Sequence, residues 1–380
     1  MKGIRMLAFL TAAVLLAPTA AAAPPEPEGK AFCLMEVSTG QVLQANNAHE
    51  PLPPASVTKI MTLLLVMEAV DSGQLRWSDP VTASESAAAK GGSQIYLKAG
   101  ETMTVEEMVK SVAVSSANDC ACALAEHLAG TEQAFVEKMN GKAAALGMKD
   151  TKFVNCTGLD DGPEAAEHRT SAYDIALMSR ELLGKHPDIR KFTTIWMDSV
   201  RGGAFGLSNT NRLVRFYPGC TGLKTGFTHR AGYCLSASAE RGGMTLIAVV
   251  LGCETSRGRF EACRQLLDGG FAGFTLHTPE IPRLSPIPVK LGETGTCLPV
   301  PGEIPGILLP KSEKSVLSSE LSLPQTLTAP VGKGQRIGEL TVRSGGQILA
   351  RISLTAPAEI PRLTWGTLFL HLLGRIAMQG

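Results

Sequence analysis

A dense apolar run follows Ser56 and reaches Met67, with large aliphatic side chains at almost every position. Two prolines precede this run and Gly73 follows it, and these residue types favour the start and the end of a helix. The pattern predicts a buried helix that carries Ser56 in its first turn. Lys59 comes three residues later and therefore lies on the same face of that helix.

Alternating and helical periodicities predict the other elements of the first part of the chain. Residues 31–43 alternate around a short polar turn, which is typical of a two-stranded hairpin, and apolar runs between 233 and 251 predict further antiparallel strands. The stretch 104–114 predicts a helix capped by Thr104, with Glu107 as its capping-box partner. These patterns alone indicate an α/β or α+β fold.

The beginning of the chain has the pattern of a secretory signal peptide. Residues 1–23 contain two basic residues, an apolar stretch from 6 to 17 and a run of small residues. The apolar stretch is too short to span a bilayer comfortably. We therefore expect the mature protein to be exported.

The composition changes near residue 275. A proline-rich stretch, residues 276–288, predicts a semi-rigid linker after a first domain of residues 24–275. Short alternating runs with glycine turns in residues 289–358 predict a small β-rich, sandwich-like domain. No candidate chemistry is visible in that second domain, so we expect it to act as a spacer or a docking module.

The last segment, residues 361–380, predicts an amphipathic helix. His371 and Arg375 fall on one narrow stripe, and apolar side chains cover most of the remaining surface. Such a helix suits a membrane surface. Docking on the β-rich domain is the alternative. A true span is disfavoured because His371 and Arg375 lie inside the apolar stretch.

Composition and charge limit the possible partners. The chain has 380 residues, 36 basic and 35 acidic side chains, and a formal charge of +1, with no basic footprint for nucleic acid. Nine cysteines include only one close pair, Cys120 and Cys122, without a zinc-ligand spacing. We expect buried free thiols with at most one or two disulfides, no bound metal and no cofactor.

The pair Ser56 and Lys59 is a candidate nucleophile and base. A serine hydroxyl becomes reactive when a base takes its proton, and a lysine one turn away can do so once it has lost its charge. The helix N-terminus also supplies unpaired N–H groups for an oxyanion. Taken alone, the pair is better explained as part of a capped core helix.

Two further motifs carry candidate chemistry. Ser116 and Asn118 lie on a connector between two apolar helices, where they form either a structural polar network or part of a site. Lys224 and Thr225 offer a cation and a hydroxyl to a substrate carboxylate, and Gly226 would allow a close approach of the substrate backbone. Each motif also has a structural explanation, as a helix cap or as a solvated strand.

The three motifs follow one another with about 60 and about 110 residues between them, in the order of penicillin-binding proteins and class A β-lactamases. Over about residues 30–275 the chain resembles the low-molecular-mass penicillin-binding proteins, the D-alanyl-D-alanine carboxypeptidases. The similarity includes residues 91–97, 155–159 and 218–233. One departure is Cys156, where the family usually has proline.

The resemblance implies a fold and a substrate class. The expected fold class is an α/β (α+β) penicillin-binding transpeptidase/β-lactamase-like domain, in which an antiparallel sheet is flanked by helices on both faces. A small β-sandwich-like C-terminal domain follows it. The expected partners are peptidoglycan stem peptides ending in D-Ala-D-Ala and β-lactam antibiotics as inhibitors, at the outer face of the cytoplasmic membrane.

The resemblance also implies catalytic roles. Lys59 would take the proton of Ser56, whose oxygen would attack the carbonyl between the two terminal D-alanines. Ser116 would pass a proton to the departing amine, and Asn118 would hold Lys59 and the substrate amide. The backbone N–H groups of Ser56 and Phe227 would hold the oxyanion.

The substrate carboxylate is expected to bind at the third motif. Lys224 and Thr225, followed by Gly226, would grip it, and Arg259 resembles a second carboxylate contact. The positive charge of Lys224 should also lower the pKa of Lys59.

Two alternatives stay open at this point. A class A-like β-lactamase would need a Glu-x-x-Leu-Asn segment, and residues 150–200 contain none. A non-catalytic wall-binding protein on the same scaffold would usually have lost the serine or the lysine, and both are present. His168 is expected to organise a loop by hydrogen bonding rather than to act as a base.

Overall fold

A computed structural model describes residues 27–312, 317–366 and 369. The predicted signal peptide, residues 1–23, lies outside the described residues. So does most of the predicted C-terminal helix, residues 361–380. Its first residues, 361–364, are described and are not helical, because they bond to the β-rich domain: the Leu363 N–H donates to the Leu291 carbonyl at 2.8 Å. Among the helices of the described part, none combines the length and the hydropathy needed to cross a bilayer.

Strands and helices alternate through residue 277. The strands are β1 (Ala31–Glu36), β2 (Val42–Asn46), β3 (Pro80–Thr82), β4 (Thr102–Thr104), β5 (Met197–Val200), β6 (Phe205–Ser208), β7 (Cys220–Thr228), β8 (Gly232–Arg241), β9 (Met244–Cys253) and β10 (Phe274–His277). The helices are α1 (Lys59–Asp71), α2 (Glu85–Ala88), α3 (Val105–Ser115), α4 (Asn118–Ala129), α5 (Glu132–Ala145), α6 (Ala172–Lys185), α7 (Arg190–Thr193), α8 (Leu213–Phe216) and α9 (Ser256–Gly273).

The main sheet has five antiparallel strands in the order β2-β1-β9-β8-β7. The hairpin β1–β2 confirms the prediction for residues 31–43, although β2 continues to Asn46. β1 pairs with β9, so that Ala31 lies opposite Leu251 and Glu36 opposite Leu246. The beginning and the end of the first domain are therefore joined in the middle of one sheet.

Helices cover both faces of this sheet, as the resemblance implied. Alternate side chains of β9 enter two different cores: Val249 and Leu251 pack on the face of α1 and α6, and Ala248 and Val250 pack on the face of α9. A strand that is buried on both faces has no polar alternation, which explains the continuous apolar run in this part of the sequence.

Helix α1 is buried on almost every side, which confirms the predicted core helix. Helix α3 begins with the predicted capping box between Thr104 and Glu107. It ends at Ser116, whose φ of 64° and ψ of 27° are left-handed, and α4 begins two residues later at Asn118. The second motif is therefore the sharp turn between two packed helices.

The second domain is built only from strands in the described residues, which agrees with the predicted β-rich domain. These are β11 (Ile287–Lys290), β12 (Thr296–Cys297), β13 (Val300–Pro301), β14 (Ile307–Pro310), β15 (Leu317–Ser322), β16 (Leu327–Thr328), β17 (Arg336–Ser344) and β18 (Gln347–Thr355). They form sheets ordered β13-β18-β17-β15 and β12-β11-β16, over two small apolar cores.

The connection between the domains differs from the predicted linker of residues 276–288. β10 pairs with β14 of the second domain, and β11 begins at Ile287, so only residues 278–286 lack a strand. The reason is burial: Phe274 and Leu276 of β10 pack against the core under α9, which extends regular structure into the proline-rich stretch.

All nine cysteines fall within the described residues, and none of them forms a disulfide. Eight are buried, and Cys220 is half-buried. The prediction of buried free thiols is confirmed.

Candidate active site

Ser56 lies in a 3₁₀ turn, Ala55–Thr58, that immediately precedes α1. The turn is strained and anchored: Ala55 has a φ of 49°, and the Thr58 hydroxyl donates a hydrogen bond to the Ala55 carbonyl at 2.9 Å. Ser56 is therefore held at the N-terminal end of a buried helix, close to the position predicted from the sequence.

His168 fixes this turn from behind. Its Nδ1 accepts a hydrogen bond from the Val154 N–H at 3.2 Å, and its Nε2 lies 2.7 Å from the Thr58 hydroxyl. Burial, with the charges of Arg230 and Lys59, lowers the pKa of His168 to about 4, so the ring is neutral at pH 7. These contacts agree with the predicted role as a loop organiser.

Lys59 is completely buried beside Ser56. Its Nζ lies 2.9 Å from Ser56 Oγ and 2.8 Å from the main-chain oxygen of Thr157. Burial lowers the pKa of Lys59 to about 7, although the Asp119 charge acts in the opposite direction. A large share of Lys59 is therefore neutral at pH 7 and able to accept the serine proton.

Lys224 is the second buried ammonium of the site. Its Nζ donates to the Thr225 carbonyl at 2.9 Å, and burial together with the positive Lys59 and Arg259 holds its pKa well below the usual range. Burial is the main cause of the lowered Lys59 pKa, and the charge of Lys59 in turn lowers the pKa of Lys224. Because the repulsion between two cations acts on both groups, the predicted effect of Lys224 on Lys59 stays a prediction.

Strand β7 packs directly against the turn that carries the candidate nucleophile. A Cβ atom on Gly226 would lie 2.7 Å from the Pro54 carbonyl oxygen and 3.1 Å from the Ser56 nitrogen. The sequence predicts that this glycine allows a substrate backbone to approach. In the structure the backbone that comes close is that of the protein itself.

Arg259 and Phe227 lie next to this contact. Arg259 Nη1 donates to the Gly226 carbonyl at 2.9 Å, and its guanidinium lies 5.2 Å from the centre of the Tyr233 ring. The Phe227 ring stacks on Tyr233 at 4.3 Å and is 44% exposed. Arg259 thus holds β7 in position, and its predicted contact with a substrate carboxylate stays a prediction.

Thr225 contacts a residue that the sequence analysis missed. Its hydroxyl donates to the Thr210 hydroxyl at 2.7 Å. Thr210, Ser256 and Arg259 line a cavity of about 600 Å³, together with the rings of Trp196, Phe216 and Phe260. The polar Asn209-Thr210-Asn211 sequence was the only available signal for this position.

Asn118 is buried and only partly paired. Its Nδ2 donates to the Gly91 carbonyl at 2.7 Å and its backbone N–H to the Ser93 carbonyl at 2.7 Å. Its Oδ1 is buried and has no hydrogen-bond partner within the described part of the chain. This oxygen therefore does not accept the expected hydrogen bond from Lys59, and it stays available to accept one from a substrate.

Two sets of hydrogen bonds that involve main-chain atoms were also not predicted from the sequence. Asp119 accepts hydrogen bonds from the N–H groups of Ile95 and Leu97, which fixes the loop of residues 91–97. Thr157 holds Lys59 through its carbonyl oxygen, and a Cβ on the next residue, Gly158, would lie 1.9 Å from the Ala55 oxygen. A main-chain acceptor has no side-chain signature, so the similarity over residues 155–159 did not reveal this role of Thr157.

Residues 18–255 match the model of the D-alanyl-D-alanine carboxypeptidase family, and residues 303–362 match that of the C-terminal domain of penicillin-binding protein 5. The chain belongs to the D-alanyl-D-alanine carboxypeptidase family. It is 42% identical over 354 residues to D-alanyl-D-alanine carboxypeptidase DacF of Bacillus subtilis (strain 168), covering 91% of this chain and 90% of the relative.

Solved structures agree with this family assignment. Penicillin-binding protein 5 of Haemophilus influenzae aligns with a TM-score of 0.75 and 30% identity. The alignment covers 90% of this chain and all of the Haemophilus chain. The ampicillin-bound form of penicillin-binding protein D2 of Listeria monocytogenes aligns with a TM-score of 0.59 and 33% identity. The alignment covers 64% of this chain and 98% of the Listeria chain. The family is one of serine hydrolases, and the β-lactamase and wall-binding alternatives have no such support.

The close contact at Gly226 leads to a first prediction. Gly226→Ala should slow acylation by penicillin by about 100-fold or more, because a displacement of about 1 Å between reacting groups can cost that much. The measurement is the second-order rate of labelling by a fluorescent penicillin.

Gly269→Ala in helix α9 is the matched control, because no heavy atom lies within 4 Å of its new Cβ. It should label at the wild-type rate. Equal labelling rates in the two variants would show that moving β7 away from the turn of Ser56 does not slow acylation.

The buried Lys59 leads to a second prediction. Penicillin acylation should increase with pH through about 7 and level off above it, because only the neutral amine accepts the Ser56 proton. A rate that is constant across this range would show that another group takes the proton.

The same group should affect stability. Between pH 7 and 10.5 the unfolded chain binds more protons at Lys59 than the folded chain does. The Lys59 contribution to the free energy of unfolding should therefore increase with pH in that range. The Lys59→Met variant has no titrating group at this position, so its free energy of unfolding should increase less steeply with pH.

Proposed function

We propose that this chain removes the terminal D-alanine from peptidoglycan stem pentapeptides through an acyl-enzyme on Ser56. The observation that carries the proposal is the fully buried Lys59, whose Nζ lies 2.9 Å from Ser56 Oγ and whose pKa burial lowers to about 7. Serine and base are thus already within proton-transfer distance, in a chain whose family is that of D-alanyl-D-alanine carboxypeptidases.

The reaction proceeds in two steps. Lys59 accepts the proton of Ser56, the serine oxygen bonds to the carbonyl carbon between the D-alanines, and the backbone N–H groups of Ser56 and Phe227 bind the oxyanion. Each such donor typically contributes about 3 kcal/mol. The C–N bond then breaks, Ser116 passes a proton to the departing amine, and water hydrolyses the ester.

Two further groups position the substrate. The unpaired Asn118 Oδ1 is a buried acceptor that suits the N–H of the substrate amide. Lys224 and Thr225 bind the terminal carboxylate by hydrogen bonds to its charged oxygens, and the Thr225 hydroxyl bonds to Thr210, which lines the cavity together with Arg259. β-Lactams acylate the same serine, a proposal supported by the likeness to the ampicillin-bound Listeria protein.

The nucleophile assignment gives a third prediction. Ser56→Ala should abolish both labelling by fluorescent penicillin and release of D-alanine from a D-Ala-D-Ala pentapeptide. Lys59→Ala should do nearly the same, because the two groups act as a unit and their losses do not add. Mass spectrometry of the products should show a tetrapeptide. Full activity in Lys59→Ala would contradict the assignment of the base.

We also propose that the mature protein is exported and lies on the outer face of the cytoplasmic membrane. The pattern of residues 1–23 supports export. Trp365 is 88% exposed and Phe369 is 62% exposed, which supports a C-terminal segment whose aromatic side chains face outward from the β-rich domain. Exposed aromatic residues of an amphipathic segment favour a membrane interface.

Membrane attachment gives a fourth prediction. Mature protein should co-sediment with liposomes that contain anionic lipid, and deletion of residues 361–380 should leave it in the supernatant. Hydrolysis of a small soluble peptide should be unchanged, because every candidate catalytic residue lies in the first domain. If both forms stay in the supernatant, the segment does not attach the protein to membranes.

A further inference from the structure

Two thiols and a carboxylate meet behind the candidate base. Cys122 lies in α4, Glu132 begins α5, and Cys156 lies in the loop before Thr157. Both cysteines are fully buried, and the three donor atoms all lie within 4.8 Å of one another. None of the three takes part in the proposed reaction.

We propose that Cys122, Glu132 and Cys156 form a binding site for a soft divalent metal ion such as Zn²⁺. Thiolates select zinc and similar ions over calcium and magnesium. In a tetrahedral zinc site, with the usual zinc–sulfur and zinc–oxygen lengths, a sulfur and an oxygen ligand lie about 3.5 Å apart. Here Cys156 Sγ lies 3.1 Å from Glu132 Oε1, and Cys122 Sγ lies 3.9 Å from Glu132 Oε2.

Glu126 contacts one of these donors. One turn after Cys122 on α4, it places its Oε1 3.7 Å from Cys122 Sγ, and its other oxygen accepts a hydrogen bond from the Ser84 hydroxyl at 2.6 Å. The three donors leave the fourth position of a tetrahedral zinc site to water.

The charge of the cluster stays the same when the ion binds. Both S–H bonds break, two protons leave to solvent, and one divalent ion takes their place. Glu132 keeps its ion pair with Lys90, whose Nζ lies 2.6 Å from Glu132 Oε2. No new net charge is therefore buried, which is the usual obstacle to a buried ionic site.

The site lies next to a cavity and to the residue that holds the candidate base. Lys90, the ion-pair partner of Glu132, lines a cavity of about 460 Å³ that also includes Thr157. A bound ion would join α4, α5 and the loop at Cys156. The next residue in that loop, Thr157, holds Lys59. The site therefore stabilises the part of the fold on which the base depends.

The experiment uses the purified mature chain under reducing conditions. After exposure to Zn²⁺ and gel filtration, wild-type protein should retain about one zinc per chain and release about two protons in binding it. The melting temperature should increase with Zn²⁺ concentration. Cys122→Ser and Cys156→Ser should each retain less than about a tenth as much zinc and show no increase in melting temperature.

Cys263→Ser is the matched control, because Cys263 is also buried and free but lies in α9 on the opposite face of the sheet. It should bind zinc as wild type does. Far-UV circular dichroism shows that each variant has folded. Retention of zinc by both Cys122→Ser and Cys156→Ser, or loss of zinc from wild type during gel filtration as for an adventitious ion, would overturn the proposal.

Discussion

The candidate site depends on one constraint, the burial of an amine beside a serine hydroxyl. Lowering the Lys59 pKa from 10.5 to about 7 means that its charged form costs about 5 kcal/mol more in the folded protein than in water. Helix α1 makes this possible, since apolar neighbours surround it on almost every side. The surrounding core therefore gives Lys59 its chemistry, and the apolar run after Ser56 is as much a part of the site as the lysine.

Precision in the site comes from backbone contacts. Gly226 and Gly158 allow two separate segments to touch the turn of Ser56 at distances that no Cβ would permit, and Arg259 fixes the carbonyl of the first. Because interiors are closely packed, a shift in either segment would move Ser56, the candidate nucleophile. The turn is thus held from both sides before any substrate arrives.

The features that the sequence predicted correctly are those that depend on residue types at fixed spacing. The Ser56–Lys59 pair, the capping box at Thr104 and the 31–43 hairpin all appear in the structure, because each is a local pattern. Thr157 was missed because it acts through its carbonyl, and the cluster at Cys122 because its other members are distant in sequence. The linker begins later than predicted because β10 pairs with β14 and Leu276 packs against the core under α9, which are tertiary effects.

The strand order also determines when the site can exist. β1 pairs with β9, which comes near the end of the first domain. β7, the strand that contacts Ser56, begins only about 160 residues after that serine in the sequence. A chain that is still being synthesised has Ser56 and Lys59 but neither the sheet nor the burial that activates them. The lysine then has the pKa of a solvated amine, and the serine is an ordinary alcohol. The Ser56–Lys59 pair therefore acquires its reactivity only after the last strands of this sheet have been made and packed.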